Sequence, residues 1–416
     1  MKKTLGVLII CVALVITLCL PATVQAQEVI KIGSLATLEG AFAVLGQDGM
    51  RGIKLALDQW NYTVAGKKIE LISVSSDASP DSALRAARKL VEQDKVDIVI
   101  GPLSGSEGIA VKDYAHTQPQ VTFFNGISAA QDTTLRNPAP NFFRFTTEGA
   151  QWMAGLGEYV IKEKGYKKIV TIAEDYAFPY TQVLGFLLGY CKAGGKVLER
   201  FWVPIGNKDY STIVASIPDD IDAIYVALGG ADAVNFLTQY EQAGGGKPLI
   251  GGSITVDQSV LGSKGRRKKF VIGTPTAGPI ADSWEDPRWR KFVDEYKAAY
   301  PKGFPSPSLF CWGYYVSTLA CLTGLKEVNG DLSDGHEAFR EAVSKLELQT
   351  PSGVVKLDQN RQAIADIFLT EVVEGKDGNL YNKVIKIIPQ VNQTLGIDRD
   401  EFLALGQVGR DNPPCK

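Results

Sequence analysis

Short apolar runs alternate with amphipathic segments along most of this chain, and that alternation limits its fold more than any other feature. The first repeat lies at 31–61, where an apolar run at 30–35 has strand length and a loop with Gly40 and Gly46 follows. Apolar residues then recur at helical spacing, namely Met50, Ile53, Ala56, Leu57 and Trp60. Strand, glycine-bearing loop and helix make the first half of a βαβ unit, whose loop lies at the end of the sheet that binds ligands in open α/β folds.

The pattern repeats and predicts an α/β fold with mostly parallel sheets covered by helices on both faces. Further strands are predicted at 68–74, 96–100, 120–124, 168–173, 222–228 and 248–250. The pattern changes character near 141–147, 272–275 and 350–353. Two βα lobes joined by three crossings are the simplest interpretation. Two successive enzyme domains would need one crossing, and the sequence alone does not force three.

The first 26 residues have the composition of a secretory signal peptide. Lys2 and Lys3 precede an apolar run at 5–20, and small residues at 24–26 form a cleavage site near Ala26. The A-x-A-like end disfavours the competing interpretation, a membrane anchor. No later stretch of about 20 apolar residues follows, so we expect a soluble mature chain.

Charge and cysteine content narrow the classes of partner and compartment. Cleavage would remove two lysines and leave 42 basic against 46 acidic residues, which argues against nucleic acid or an anionic membrane as partner. Four cysteines would remain in an oxidising compartment. Cys311 and Cys321 share a predicted helix, roughly 15 Å apart, and cannot bridge each other. Cys321 with Cys415 is one candidate pair, and Cys191 is the fourth thiol.

Catalytic and metal-binding signatures are missing from the sequence. It has two histidines, His116 and His336, and no C-x-x-C motif, which disfavours a zinc or haem site. It has no G-x-S-x-G motif, no P-loop, and no G-x-G-x-x-G after the first strand. We therefore expect no cofactor, no metal and no enzymatic activity.

Several ordered fragments carry a resemblance to a known family. They are LEGAFAVLG at 38–46, VIGP at 99–102 with Ser104 and Ser106, DYA at 175–177, and TPSG at 350–353 with KLD at 356–358. Together, over nearly all of the mature chain, they are similar to the type I periplasmic solute-binding proteins of the branched-chain amino-acid group, which serve ABC transporters.

The resemblance implies a two-lobed clamp with a three-stranded hinge, in which ligand binds in the cleft and closes the lobes. Mapped onto this chain, lobe one would comprise 28–146 and 276–350, and lobe two 147–275 and 351–416. The resemblance also implies a monomer in the periplasm that docks on a membrane permease. A free clamp that hands its ligand to a sensor is the rival role within this fold.

In the family's amino-acid binders, two loops of lobe one hold the ligand carboxylate with backbone N–H groups and hydroxyls. One matches Ser104, Gly105 and Ser106, which open a helix whose free N–H groups and dipole favour an anion. The other matches Gly126 and Ser128. The competing interpretation is that these serines only cap helices.

The opposite side of the site departs from the family. Ser253 stands where the family has an acid for the ligand ammonium, and Asp257, a turn later, is more readily interpreted as a capping or solvated residue. The positions that match the family's aromatic residues hold Leu45, Phe178, Trp312 and either Gly229 or Gly230. With Phe42, they predict an apolar pocket, although core packing would also explain Phe42 and Trp312.

Anion-binding loops without an acid for an ammonium group predict a carboxylate ligand that has no α-amino group. An aromatic acid fits, and some relatives bind such lignin-derived acids. A branched aliphatic or 2-oxo acid fits nearly as well, and a hydrophobic amino acid is the alternative.

Overall fold

The computed structural model describes residues 29–263 and 268–415, and the predicted signal peptide at 1–26 lies outside them. Fifteen strands are found in these ranges: β1 (Val29–Thr37), β2 (Thr63–Val64), β3 (Lys67–Ser76), β4 (Ile98–Ile100), β5 (Thr122–Phe124), β6 (Phe142–Phe143), β7 (Lys168–Glu174), β8 (Lys196–Val203), β9 (Ala223–Ala227), β10 (Leu249–Gly251), β11 (Pro275–Gly278), β12 (Leu348–Thr350), β13 (Gly353–Leu357), β14 (Ala363–Glu374) and β15 (Leu380–Val391).

Fourteen α-helices occur in the same described part of the chain: α1 (Ala43–Gln59), α2 (Pro80–Arg88), α3 (Gly105–Ala115), α4 (Gly149–Trp152), α5 (Leu156–Lys162), α6 (Ala177–Lys192), α7 (Ser211–Ala215), α8 (Gly230–Gln242), α9 (Gln258–Leu261), α10 (Lys268–Val271), α11 (Pro287–Ala299), α12 (Leu309–Glu327), α13 (Glu337–Ser344) and α14 (Arg399–Ala404). None of the described helices is long and apolar enough to cross a membrane.

The strands form two sheets, which define the two lobes. The first lobe has six strands in the order β2-β3-β1-β4-β5-β6, parallel except for β2. The sheet of the second lobe contains both parallel and antiparallel strands, whereas the sequence predicted a mostly parallel sheet. It is parallel from β8 through β7, β9 and β10 to β11, and antiparallel through β14, β13, β12 and β15.

The long helix α12 packs against α1 of the first lobe, although it follows the second sheet's β11 in sequence. Ser308 caps α12 by accepting from the Cys311 N–H at 3.2 Å, and its hydroxyl donates to the buried Asp48 carboxylate of α1 at 2.5 Å. Gly52 lets the two helices touch, because a side-chain carbon there would lie 2.1 Å from the Cys311 carbonyl oxygen. The later part of the chain thus returns to the first lobe.

A buried guanidinium occupies the place where the chain first leaves the β1–β6 sheet. Arg144, fully buried, donates to the Ala130 carbonyl at 2.6 Å, to the Thr134 hydroxyl at 2.6 Å and to the Gln362 amide oxygen. Gln362 donates in turn to Gln151 at 2.8 Å. This network joins the end of the first sheet to α4 and to the start of β14.

The disulfide joins Cys191 to Cys415, with 5.6 Å between their Cα atoms. The candidate pairing of Cys321 with Cys415 is therefore wrong. Cys321 lies fully buried on α12 with a free thiol, as does Cys311. The pairing fixes the C-terminal end of the chain to α6 of the second lobe.

Non-reducing peptide mapping should recover one cross-linked peptide that contains Cys191 and Cys415. Cys311 and Cys321 should react with maleimide only after denaturation, because both are buried. The double variant C191S/C415S should lose roughly 2–4 kcal/mol in free energy of unfolding, since the bridge closes a long loop. A cross-linked peptide containing Cys321 would contradict the assignment.

Glu148 should make stability fall as pH rises from about 5 to 8. Burial, opposed by the charge of Arg144, raises the pKa of this carboxyl from 4.5 to about 7. Between those values the folded state binds more protons than the unfolded state, so the stabilising contribution is present below pH 4.5 and is lost as pH rises through 7. The test is urea denaturation of native protein and E148Q at pH 5, 6.5 and 8.

The Ala150 and Gln151 N–H groups donate to different oxygens of the native carboxylate, at 2.9 and 3.3 Å, so E148Q keeps one acceptor and loses the other at every pH. Other titrating groups are common to both proteins and cancel in the difference between their unfolding free energies. That difference should favour native protein most at pH 5 and shrink toward pH 8. A difference that is flat with pH would refute the assignment.

Candidate functional site

An apolar cavity lies between the two lobes. The first lobe contributes loops and helix ends that follow β1, β4 and β5, together with the start of α12, and the second contributes residues that follow β7 and β10 and one from α4. The free space between the side chains is about 20 Å³, room for one water molecule. The wall is formed by Phe42, Leu45, Leu103, Gly105, Ile127, Ala129, Trp152, Tyr176, Phe178, Ile254 and Phe310.

Aromatic rings from both lobes meet across this cavity. The Phe42 ring of the first lobe lies 6.0 Å from the Tyr176 ring, centroid to centroid. Tyr176 lies 6.2 Å from Phe178, and Phe178 lies edge-on to Trp152 at 5.4 Å. The Trp152 indole N–H donates to the Thr147 hydroxyl at 2.9 Å, which fixes the orientation of the indole. The wall therefore favours a flat, apolar ligand.

The first turn of α3 borders the cavity. Ser104 is its N-cap, because its hydroxyl accepts from the Glu107 N–H at 3.3 Å while the Glu107 carboxylate accepts from the Ser104 N–H at 2.8 Å. The N–H groups of Gly105 and Ser106 have no acceptor among the described residues. The Ser106 hydroxyl accepts from the Ala177 N–H of the second lobe at 3.3 Å. Ser104 is thus structural, and two backbone donors beside the cavity stay unpaired.

A second loop places further polar groups beside α3. The Ile127 and Ser128 N–H groups donate to the Pro102 carbonyl at 3.1 and 3.3 Å, whereas the Ala129 N–H has no acceptor in the described structure. The buried Ser128 hydroxyl also lacks a partner there. It lies against Gly108, where an added side-chain carbon would come within 1.8 Å of it. The Ala129 N–H is therefore an unpaired donor of a wall residue, whereas the unpartnered Ser128 hydroxyl is buried against α3 next to the wall.

Two glycines allow the lobes to approach closely at the cavity. A side-chain carbon at Gly105 would lie 2.7 Å from the backbone nitrogen of Phe178 in the other lobe. At Gly230, where φ is +48°, such a carbon would lie 2.7 Å from the Ala41 carbonyl oxygen and close to Phe42. Gly230 therefore abuts the wall from behind without lining it.

Three other predicted ligand residues lie outside the cavity wall. Gly126 packs under the Tyr314 ring, 2.5 Å from where its side-chain carbon would be. The Ser253 hydroxyl accepts from the Gln182 side-chain amide at 2.7 Å. Trp312 is buried on α12, and its indole N–H has no partner among the described residues. The structure thus brings Phe42, Leu45, Gly105 and Phe178 together but places these three elsewhere.

The acids of the second lobe near the cavity are engaged in structural contacts. Asp257 caps α9, accepting from the Ser259 N–H at 2.9 Å, and also accepts from the Leu309 N–H of α12 at 2.7 Å. Burial raises its pKa to about 7. Glu174 accepts from the Gly229 N–H at 2.9 Å, but its second carboxylate oxygen is buried without a partner in the described ranges. Burial raises the Glu174 pKa well above its ordinary value.

Sequence reasoning missed seven wall residues. Ile127 and Ala129 flank the predicted Ser128, and Ile254 follows the predicted Ser253, so those predictions were displaced by one residue. Tyr176 belongs to an aromatic segment that contains the predicted Phe178. The remaining three, Leu103, Trp152 and Phe310, come from separate parts of the chain and have no local signal that sets them apart from core residues.

The comparisons with known proteins agree with this architecture. A family model described as periplasmic binding protein matches residues 29–379. The Leu/Ile/Val-binding protein homolog 6 of Brucella melitensis is 26% identical over 378 residues, which cover 88% of this chain and 93% of the relative.

Two solved structures support the same assignment. An ABC transporter substrate-binding protein from Sphaerobacter thermophilus is 28% identical with a TM-score of 0.78, and the match covers 88% of this chain and 99% of that one. A solute-binding protein of an ABC transporter from Rhodopseudomonas palustris BisB5, in complex with 3,4-dihydroxy benzoic acid, is 26% identical with a TM-score of 0.81 and the same coverage. The two-lobed fold class and the family resemblance are confirmed, and the chain belongs to the periplasmic binding protein family, a family of substrate-binding proteins.

Proposed function

We propose that the protein is the extracytoplasmic substrate-binding component of an ABC importer, working in the periplasm, and that it captures a small hydrophobic carboxylate. Aromatic acids are the first choice, with aliphatic and 2-oxo acids next. The observation that carries the proposal is the cavity itself, which has aromatic walls from both lobes and unpaired backbone donors at one side.

The carboxylate end of the ligand meets the first lobe. The free N–H groups of Gly105 and Ser106 open α3, an 11-residue helix whose dipole favours an anion at this end. The Ala129 N–H and the Ser128 hydroxyl add two donors from the neighbouring loop. An anion placed there receives hydrogen bonds from groups that otherwise have no partner among the described residues.

The apolar end of the ligand packs against the rings of Phe42, Trp152 and Phe178. Burying about 100 Å² of a phenyl ring contributes roughly 2–3 kcal/mol. The ligand needs no positively charged group at this end, because the wall residues that surround it carry no carboxylate. This chemistry favours an acid without an α-amino group over an amino acid.

Capture requires the lobes to separate and close. The free space of about 20 Å³ is too small for a benzoate, so a ligand enters only when the lobes move apart. In the structure they touch, as the Ala177 N–H donates to Ser106 across the cleft. A ligand held by both lobes would stabilise a closed form, with the lobes divided as predicted from the sequence, and a membrane permease would recognise that form.

A branched-chain amino acid is the second candidate. The unpartnered, buried oxygen of Glu174 favours it, because an ammonium group would supply the missing partner. The curated relatives named as Leu/Ile/Val-binding homologues point the same way. The two candidates differ in whether the ligand's nitrogen is needed.

Thermal unfolding in the presence of ligands should separate these candidates. Benzoate or 4-hydroxybenzoate at 100 times its dissociation constant should add about 2.7 kcal/mol to the free energy of unfolding. Benzyl alcohol, which has the ring but no carboxylate, and leucine, which has an ammonium group, should shift the midpoint little. A clear shift with leucine and none with the aromatic acids would favour the second candidate.

Ser128→Ala should weaken binding of the acid by about 1–3 kcal/mol, since a charged group would lose a hydrogen bond. Stability without ligand should hold, because the native hydroxyl has no partner among the described residues. Thr171→Val, which removes a similarly unpartnered hydroxyl within β7, is the matched control and should leave affinity unchanged. Isothermal titration calorimetry measures both variants, and native affinity in Ser128→Ala would remove this serine from the site.

A further inference from the structure

The C-terminal segment 393–415, here called the strap, crosses from the first lobe to the second. At its start, the Gln393 side-chain amide donates to the Gln131 carbonyl at 3.1 Å. Arg399 donates to the Leu135 carbonyl at 3.1 Å, and Arg136 donates back to the Gly406 carbonyl at 2.8 Å. Residues 131–136 lie between β5 and β6 of the first lobe, so this half of the strap is fastened there.

Apolar packing holds the middle of the strap. Phe402 of α14 is buried and forms a small core with Leu135 from the first lobe and with Ala150 and Leu184 from helices of the second. The strap therefore packs against both lobes.

The end of the strap is fastened to the second lobe, covalently and by hydrogen bonds. Cys415 is bonded to Cys191 of α6. Arg200 of β8 donates to the Arg410 carbonyl at 3.2 Å and to the Pro413 carbonyl at 2.5 Å. The backbone from Arg410 to Cys415 is thus held by Arg200 and by the disulfide.

From this position, the Arg410 side chain forms an ion pair with the part of the second lobe that contributes to the cavity wall. Its guanidinium binds both carboxylate oxygens of Asp175, with the Nε donating to Oδ1 at 2.8 Å, and the Tyr180 hydroxyl donates to the same carboxylate. These hydrogen bonds, those from Arg410 first, lower the Asp175 pKa. A bidentate pair fixes geometry as well as distance, unlike most surface ion pairs.

Asp175 lies in the segment 174–178, here called the cleft segment, which contributes Tyr176 and Phe178 to the cavity wall. On the other side, the Asp175 N–H donates to the Val203 carbonyl at 2.7 Å and the Ala177 N–H donates to Ser106. The Ser106 contact is lost when the lobes part. In the open form, Asp175 is therefore still held by Arg410 and Tyr180, and of these two only Arg410 belongs to the strap.

We propose that the strap holds the cleft segment in its ligand-binding conformation through Arg410, which makes Arg410 a positioning residue for ligand capture. The expected effect on ligand affinity rests on the proposed function, whereas the expected effect on the order of the cleft segment does not. The family model ends at residue 379, so the strap lies beyond the region this chain shares with that model.

The physical effect is preorganisation. A cleft segment that samples other conformations binds with an affinity reduced by the fraction of molecules in the competent one. Ordering it before the ligand arrives removes that loss. Releasing Arg410 should thus weaken binding without removing any atom from the cavity wall.

Hydrogen exchange on the ligand-free mature protein, with its disulfide intact, tests the proposal directly. Peptides covering 174–180 should exchange at least 5-fold faster in R410A than in the native protein. R410K should fall between, because lysine cannot form the bidentate pair. The matched control is R290A, which breaks another bidentate surface pair, between Arg290 and Glu285, and should exchange like the native protein in these peptides. Unchanged exchange in R410A would overturn the proposal.

Binding of benzoate, or of whichever acid shifts the native protein, forms the second arm. Affinity should drop about 3- to 10-fold in R410A and less in R410K. R410A/D175A should bind no more weakly than D175A alone, since Arg410 acts through Asp175. Faster exchange with native affinity, or additive losses in the double variant, would overturn the positioning role. If no acid binds the native protein, the proposed function fails, and the exchange arm alone decides whether the strap orders the cleft segment.

Discussion

The buried guanidinium of Arg144 is the constraint on which the geometry of the cavity depends. Burial lowers its pKa to about 10, and such a charge is tolerated in a protein interior only when its donors are met. Its partners include the Ser128 and Ala130 carbonyls, at 3.3 and 2.6 Å, on either side of the free Ala129 N–H. Through Gln362 it also orders Gln151, the neighbour of Trp152. One side chain thus sets the donor loop of the first lobe relative to an aromatic wall residue of the second.

The close contact of the lobes follows from the residues placed around that network. Gly105 and Gly230 remove the side chains that would hold the lobes apart, and Phe42 and Phe178 fill the space between them. The strap adds a second connection, which begins at the same network, because the Gln393 side-chain amide donates to the Thr134 hydroxyl at 3.1 Å, and ends at the disulfide on the second lobe. The two lobes are thereby connected by a buried polar network and by a segment that is partly covalent.

Local periodicity was sufficient to predict much of the fold. The strand and helix within 31–61 are found as β1 and α1, and the apolar segment after Ser308 is found as α12, because each element's own residues encode its burial. Partners distant in sequence were not predictable. Cys191 and Cys415 are 224 residues apart, and their pairing depends on the path of the strap. Trp152 and Phe310 become wall residues only through tertiary packing, so no local pattern predicts them. Phe42 and Phe178 could be predicted from the family resemblance.

Most carboxylate oxygens of the second lobe near the cavity already accept hydrogen bonds from the protein itself. Asp257, one turn after the position at which the family resemblance implies an acid for an ammonium, already accepts from the Leu309 and Ser259 N–H groups. Moving it toward a ligand would leave the first turn of α12 without that acceptor, which disfavours such a rearrangement. Ser253 is likewise engaged with Gln182. Apart from the unpartnered Glu174 oxygen, the free polar groups beside the cavity are therefore donors on the first lobe, which supports the proposal of an anionic ligand.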